Sequence, residues 1–386
     1  MPVVLGSDVL VDRQLLQGRT IGLVCNPASL DAGFRHVVDR AAAGGVEVGA
    51  IFGPQHGFNS DLQENMIESP HGRDARRNVP VYSLYSETRE PTAEMLAGLD
   101  ALVIDLQDVG TRIYTYIHTM ANCMVAARQH GVPVIVCDRP NPIGGDAVEG
   151  PILRAGFESF VGQFPIPMRH GMTIGELARL FNDRFGINAK LEVVKMQNWS
   201  RGLYGDATGL PWVLPSPNIP TVDAAIVYPG TVLLEGTNVS EGRGTTKPFE
   251  LVGAPWADPQ GIANALNDLG LPGVQFRPAL FEPTFHKHAA QPCGGCQIHV
   301  TNRSVFRAVE TGVAVIAAFR AAGPDAFKWR EPPYEYEHVK PPIDILYGSS
   351  ALREGFDRGE TAATLAAAWT TEMAAFADVR EKYLLY

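Results

Sequence analysis

Ala101-Leu-Val-Ile-Asp-Leu-Gln-Asp-Val-Gly-Thr-Arg-Ile-Tyr-Thr-Tyr-Ile-His-Thr119 is the stretch on which the fold turns. Ala101 to Ile104 is a continuous apolar run with β-branched members, which predicts a strand buried on both faces. Asp105, Gln107, Asp108 and Arg112 then make the chain abruptly polar. After Gly110 the pattern becomes helical, with Ile113, Ile117, Met120 and Met124 on one face. A buried strand that delivers two carboxylates and a guanidinium to a strand–helix junction is where an α/β protein keeps its chemistry.

Working outward, the same alternation recurs. Thr20 to Asn26, Val46 to Phe52 and Val79 to Tyr85 read as strands before it, and Pro133 to Asp138 as one after it. Gly33 to Ala43 and Thr92 to Leu99 read as helices, and the helix that follows Arg112 stops at Gly131. Strands alternating with helices predict a parallel, doubly wound sheet. Every strand ends in polar or glycine-rich sequence: Asn26-Pro-Ala-Ser29, Gly53-Pro-Gln-His-Gly57, Tyr85-Ser-Glu-Thr-Arg89, Asp105 to Arg112, and Asp138-Arg-Pro-Asn-Pro142. Ligands of such sheets bind outside the carboxyl ends of the strands, so these five ends outline a site. The first strand is followed by Cys-Asn-Pro-Ala-Ser, without G-x-G-x-x-G, and no P-loop occurs, which argues against a nucleotide cofactor.

The 386 residues are too many for one ordinary core and predict two domains, 1–250 and 251–386. Between 143 and 250 the chain is dense in Gly, Pro and Asn. Thr173 to Phe185 reads as a helix, with Thr173 and Glu176 in capping-box register, and Lys190 to Met196 as a strand. Leu214-Pro-Ser-Pro-Asn-Ile-Pro220 predicts a rigid extended segment. Glu235 to Lys247 sets acids and bases among glycines, as a ligand-binding loop does. Beyond Pro255, Pro259 to Leu269, Ser304 to Ala322 and Glu360 to Tyr383 read as helices, and Gln297 to Thr301 as a strand. Tyr334-Glu-Tyr-Glu could add lining residues from this side.

A net charge of −10 argues against general nucleic-acid or anionic-membrane binding. No run approaches the roughly 20 apolar residues of a membrane span. The start Met-Pro-Val-Val-Leu-Gly-Ser-Asp shows no signal peptide, so a cytoplasmic protein is expected, or a periplasmic or secreted one if a leader has been removed. Oligomeric state is not legible. The odd set of five cysteines disfavours a disulfide scaffold. Cys25, Cys123 and Cys137 read as buried thiols, and Cys293-Gly-Gly-Cys296 as turn cysteines, a lone C-x-x-C being a weak metal or redox signal. No metal or other cofactor is expected.

The polar ends are rich in carboxylates, among them Glu87, Asp105, Asp108, Glu235 and Glu241. There is no G-x-S-x-G elbow and no H-E-x-x-H helix. Paired-acid chemistry remains, and glycoside hydrolysis is the main reaction class built on it. Tyr85, Tyr114 and Tyr116 would suit sugar stacking, or simple cleft-wall packing. A non-catalytic sugar-binding protein would present the same cleft, and a transferase using a nucleotide sugar would need a phosphate site that is not found.

Five runs also resemble a known family: Gly53-Pro-Gln-His-Gly57, Ser83-Leu-Tyr-Ser-Glu-Thr-Arg89, Asp105 to Tyr116, Asp138-Arg-Pro-Asn-Pro-Ile-Gly144 and Ser240-Glu-Gly-Arg-Gly-Thr245. Together they resemble the NamZ exo-β-N-acetylmuramidases, glycoside hydrolase family 171, formerly a domain of unknown function. The resemblance implies a Rossmann-like domain facing a smaller α/β domain, and release of N-acetylmuramic acid from the non-reducing ends of peptidoglycan fragments. Within it Glu87 is expected as the general acid, although Ser86 stands where the family has glycine. Asp105 is expected as base, nucleophile or anchor, and Glu241 as a second acid. Gln55, His56, Asp108, Arg112, Tyr114, Asn141, His170, Glu235 and Arg243 complete the expected substrate contacts. Arg112 or Arg243 would pair the lactyl carboxylate of muramic acid, or else brace a loop.

Overall fold

The computed structural model of the protein describes residues 1–64 and 66–386. Its larger sheet joins β1 (Thr20–Val24), β2 (Glu47–Gly53), β3 (Gly72–Asp74), β4 (Val79–Ser83), β5 (Ala101–Ile104), β6 (Val134–Cys137) and, after a two-stranded ribbon of β7 (Glu149–Ile152) and β8 (Pro167–Arg169), β9 (Leu191–Val194). The order is β3-β4-β2-β1-β5-β6-β9, parallel throughout except for β3 against β4. β1 therefore lies between β2 and β5, with Val24 opposite both Phe52 and Ile104. The order of connection reverses there, and a crevice opens beyond the carboxyl ends of these strands.

β5 occupies the predicted residues, all four fully buried. The helix after it starts later than the periodicity predicts, at Tyr116–Gln129. The intervening residues make tertiary contacts instead: Thr111 bridges to Arg169, and the Arg112 amide donates to the Met168 carbonyl at 2.8 Å. Gly110 permits this turn. Its φ is +81°, and a Cβ there would stand 2.5 Å from Asn141 Oδ1. The predicted capping box is present at helix Ile174–Asp183, with Thr173 and Glu176 satisfying each other's backbone amides.

A smaller antiparallel sheet is built from β10 (Leu251–Ala254), β11 (Val274–Phe281) and β12 (Cys293–Val300), in the order β10-β12-β11. Cys293 and Cys296 thus lie buried in a strand rather than in a turn, as free thiols. Among the described residues no group of three or more His, Cys, Asp or Glu could hold a metal. No described helix is long and apolar enough to cross a membrane.

Two features departed from periodicity. Helix Val222–Thr231 is buried at every residue but Asp223 and so shows no amphipathic stripe, and Pro229 inside it further conceals it. It crosses helix Ala308–Ala322 backbone to backbone: a Cβ on Gly312 would lie 2.2 Å from the Gly230 carbonyl oxygen. The terminal helix is two pieces, Ala362–Ala367 and Thr370–Glu381. At the break the buried Trp369 indole donates to the Tyr347 hydroxyl at 2.7 Å.

Candidate active site

A polar pocket lies beyond the carboxyl ends of β1 and β2. Gln55 and His56 reach it from β2, and Tyr114, Thr115 and Tyr116 from the start of the helix after β5. Ser216, Asn218 and Ile219 come from the proline-rich segment, and Tyr228, Glu235, Arg243, Phe249, Tyr334 and Glu335 from further along the chain. Asn26, at the end of β1, fastens the proline-rich segment. Its Nδ2 donates to the Tyr116 hydroxyl at 2.9 Å and to the Pro215 carbonyl at 2.7 Å, and the Tyr116 hydroxyl donates to the same carbonyl at 2.6 Å. Free space inside is about 40 Å³, enough for a few waters or one substituent of a sugar and too little for a hexose ring.

Glu335 is held at one wall. The Tyr85 hydroxyl donates to its Oε2 at 2.8 Å, and Gln55 Nε2 to its Oε1 at 3.2 Å. Gln55 is itself oriented by Thr115, whose hydroxyl donates to the amide oxygen at 2.8 Å. Burial, reinforced by the neighbouring Glu235, pushes the Glu335 carboxyl up to about 7 against these two hydrogen bonds. The backbone beneath it is strained. Glu335 and Tyr336 have φ of +44° and +68°, between Tyr334 and Glu337, which exchange both backbone hydrogen bonds. This is a two-residue hairpin turn with two positive φ values, a geometry that ordinarily asks for Asn-Gly.

Glu235 is the second carboxylate of the pocket. Arg243 Nη2 donates to its Oε1 and the Tyr334 hydroxyl to its Oε2, both at 2.7 Å. His56 also has a positive φ, +71°, and burial lowers its pKa to about 4, so the ring is neutral near pH 7. Its Nδ1–H donates to the Leu62 carbonyl at 2.7 Å, which leaves Nε2 as an acceptor. The Tyr114 hydroxyl is buried without a well-formed hydrogen bond inside the protein, although Ser216 and Tyr116 are close.

Of the residues expected from sequence, Gln55, His56, Tyr114, Glu235 and Arg243 line this pocket. The others are placed elsewhere. Glu87 is 69% exposed and bonded to His71 Nε2 at 2.7 Å. Hydrogen bonds from Ser86, its own backbone and His71 lower its pKa to about 2, so it holds no proton to give at neutral pH. Asp105 is buried in an ion pair with Arg139 at 2.8 Å. Asp108 accepts from the Gly110 amide at 2.8 Å and faces His170 at 3.3 Å, so the pair fastens the turn after β5 to the end of β8. Asn141 bonds the Ile143 amide and the Met172 carbonyl. Glu241 is fully buried. Against that burial, Lys287, His286 and Arg243 hold its carboxyl well below the usual range, which makes it an anchor and not an acid.

Arg112 is no substrate clamp. It is fully buried, and its two terminal nitrogens donate to the carbonyls of Pro151, Ile166, Leu346 and Tyr347 at 2.8–3.1 Å. It bolts the turn after β5 to the ribbon β7–β8 and to helix Pro342–Tyr347. Glu335 and Tyr334 were legible only as possible lining residues, because no motif and no flanking element marks their position.

Residues 21–223 match the family model described as exo-β-N-acetylmuramidase NamZ, N-terminal, and residues 226–386 the model for its C-terminal part. The chain is 46% identical over 384 residues to the peptidoglycan β-N-acetylmuramidase NamZ of Bacillus subtilis, covering 99% of this chain and 91% of that protein. Two crystal structures of DUF1343 family proteins from Bacteroides fragilis are similar over 100% of this chain and 99% of each of theirs. Their TM-scores are 0.90 and 0.78, at 34% and 27% identity.

Proposed function

The chain belongs to the NamZ exo-β-N-acetylmuramidase family and is a glycosidase acting on peptidoglycan, and we propose that Glu335 supplies its acid. A glycosidase needs one carboxyl that still carries its proton near neutral pH beside another carboxylate. The observation that carries this assignment is the burial of Glu335 in the same pocket as Glu235, with its pKa raised to about 7. Glu335 gives its proton to the glycosidic oxygen as the bond to the anomeric carbon breaks; a water molecule then adds to that carbon and returns a proton to the Glu335 carboxylate. Glu235, already aligned by Arg243 and Tyr334, faces the positive charge that develops on the sugar ring.

The small free space supports a reading in which a substituent of the terminal sugar enters the pocket and its ring stays at the mouth, beside Glu335. A pocket this small takes a substituent of a chain end more readily than a chain middle, in keeping with exo action. The substrate is then a peptidoglycan fragment with N-acetylmuramic acid at its non-reducing end. Glu335→Gln tests the assignment: release of the chromophore from an aryl N-acetylmuraminide should fall about 10²-fold or more while the fold persists. Turnover near the normal rate would remove Glu335 from the mechanism.

A further inference from the structure

Glu335 also borders a second space. Beside the hairpin lies an open recess of about 500 Å³, lined by Arg89, Asn122, Phe160, Gln163 and Tyr336, with the carboxylates of Glu158 and Glu337 beside Glu335. We propose that this recess is the leaving-group subsite, taking an uncharged N-acetylhexosamine residue, the sugar joined to the muramic acid that is released. The inference rests on the assignment of Glu335 as proton donor.

Three observations carry it. A carboxyl that protonates a glycosidic oxygen must stand between the two sugars which that oxygen joins. Glu335 is common to the small pocket and the recess, so with the terminal sugar anchored in the one, the next sugar falls in the other. The sizes agree with this division. The recess is roughly an order of magnitude larger than the pocket and open to solvent, so it accommodates a whole ring and lets a longer chain run on outward.

The chemistry of the walls is that of a sugar site. Phe160 and Tyr336 form an aromatic cluster with Tyr85, at ring-centroid distances of 5.3 to 6.3 Å. The Arg89 guanidinium lies 3.7 Å from the centre of the Tyr336 ring. The side-chain amides of Asn122 and Gln163 add groups able to bond hydroxyl or acetamido groups. Charge at the rim is already matched: Arg89 pairs with Glu68 at 3.2 Å, and Lys340 with Glu337 at 3.0 Å. Among the described lining residues that leaves no unpaired cation to favour a second acidic sugar, and the Glu158 carboxylate at the rim disfavours one, so a neutral sugar fits.

Phe160→Ala, Phe160→Leu and Gln163→Ala should be assayed on two substrates. One is a disaccharide of N-acetylmuramic acid linked to N-acetylglucosamine. The other is N-acetylmuraminyl fluoride, whose leaving group is too small to use the recess. For the disaccharide, kcat/KM should fall about tenfold in the Phe160 variants, with a smaller loss for Gln163→Ala, while hydrolysis of the fluoride stays within about twofold. Free N-acetylglucosamine should inhibit the native enzyme, and the variants more weakly. Equal losses on both substrates, or no loss on the disaccharide, would overturn the subsite. Failure of the donor assignment shows separately, as a Glu335→Gln variant that still cleaves the disaccharide. Phe160→Leu keeps most of the apolar packing, so the test stands if the alanine variant does not fold.

Discussion

The Tyr85 hydroxyl donates to Glu335 at 2.8 Å across 250 residues of sequence, joining the end of β4 to a strained hairpin near the C-terminal end of the chain. The bond favours the ionised form of the carboxyl and so works against the burial that holds its proton. Two parts of the chain, one in each family match, are therefore needed to set the acidity of one group.

Tyr85→Phe removes that bond while keeping the ring. The Glu335 pKa should rise further, because the bond it loses lowered it. A general acid is active only while protonated, so the alkaline limb of the kcat/KM–pH profile should move upward. A downward shift, or none, would mean that another group controls the limb.

Folding stability carries the same signature. The folded pKa of Glu335, about 7, lies above its ordinary value of 4.5. Its contribution is therefore fully present below about pH 4.5 and is lost as pH rises toward 7, by up to about 3 kcal/mol. Glu335→Gln should flatten this part of the stability–pH curve, giving a variant relatively more stable than the native protein at pH 8. Denaturant unfolding at pH 5 and pH 8 measures it.

Arg112→Met should destabilise the protein by about 3–5 kcal/mol, because four buried carbonyl groups lose their donor. Folded variant should keep the native preference for muramic acid over its analogue without the lactyl group. A selective loss of that preference would restore Arg112 to the substrate.

Gly312→Ala tests the helix crossing. The new methyl group would stand 2.2 Å from the Gly230 carbonyl oxygen, so the helices must separate. A loss of about 1–3 kcal/mol is expected in thermal or denaturant unfolding. An unchanged midpoint would show that the crossing is looser than described.

The sequence made the larger sheet legible because its strands are short apolar runs closed by polar ends, and β5 matched residue for residue. Gln55, His56, Tyr114, Glu235 and Arg243 were legible for the same reason: they sit at a strand end, a helix start and a glycine-rich loop. Asp105, Asp108, Asn141 and His170 have the residue types of a reactive site, yet they are spent on the buried turns that support it. Polar side chains that could react and those that satisfy buried backbone look alike in one dimension. Glu335 was obscured for a different reason. Its place depends on two successive positive φ values, and Glu-Tyr gives none of the signals of that turn. Helix Val222–Thr231 is not legible because burial of every residue but Asp223 erases the periodicity by which helices are read.

The most direct measurement is the pH dependence of kcat/KM for an aryl N-acetylmuraminide with the native enzyme, Glu335→Gln and Glu87→Gln. The native enzyme should show an alkaline limb near pH 7, Glu335→Gln a loss of about 10²-fold or more, and Glu87→Gln a retained limb with activity within about tenfold. Loss of the limb in Glu87→Gln with Glu335→Gln still active would contradict it, and would move the proton from the hairpin to the end of β4.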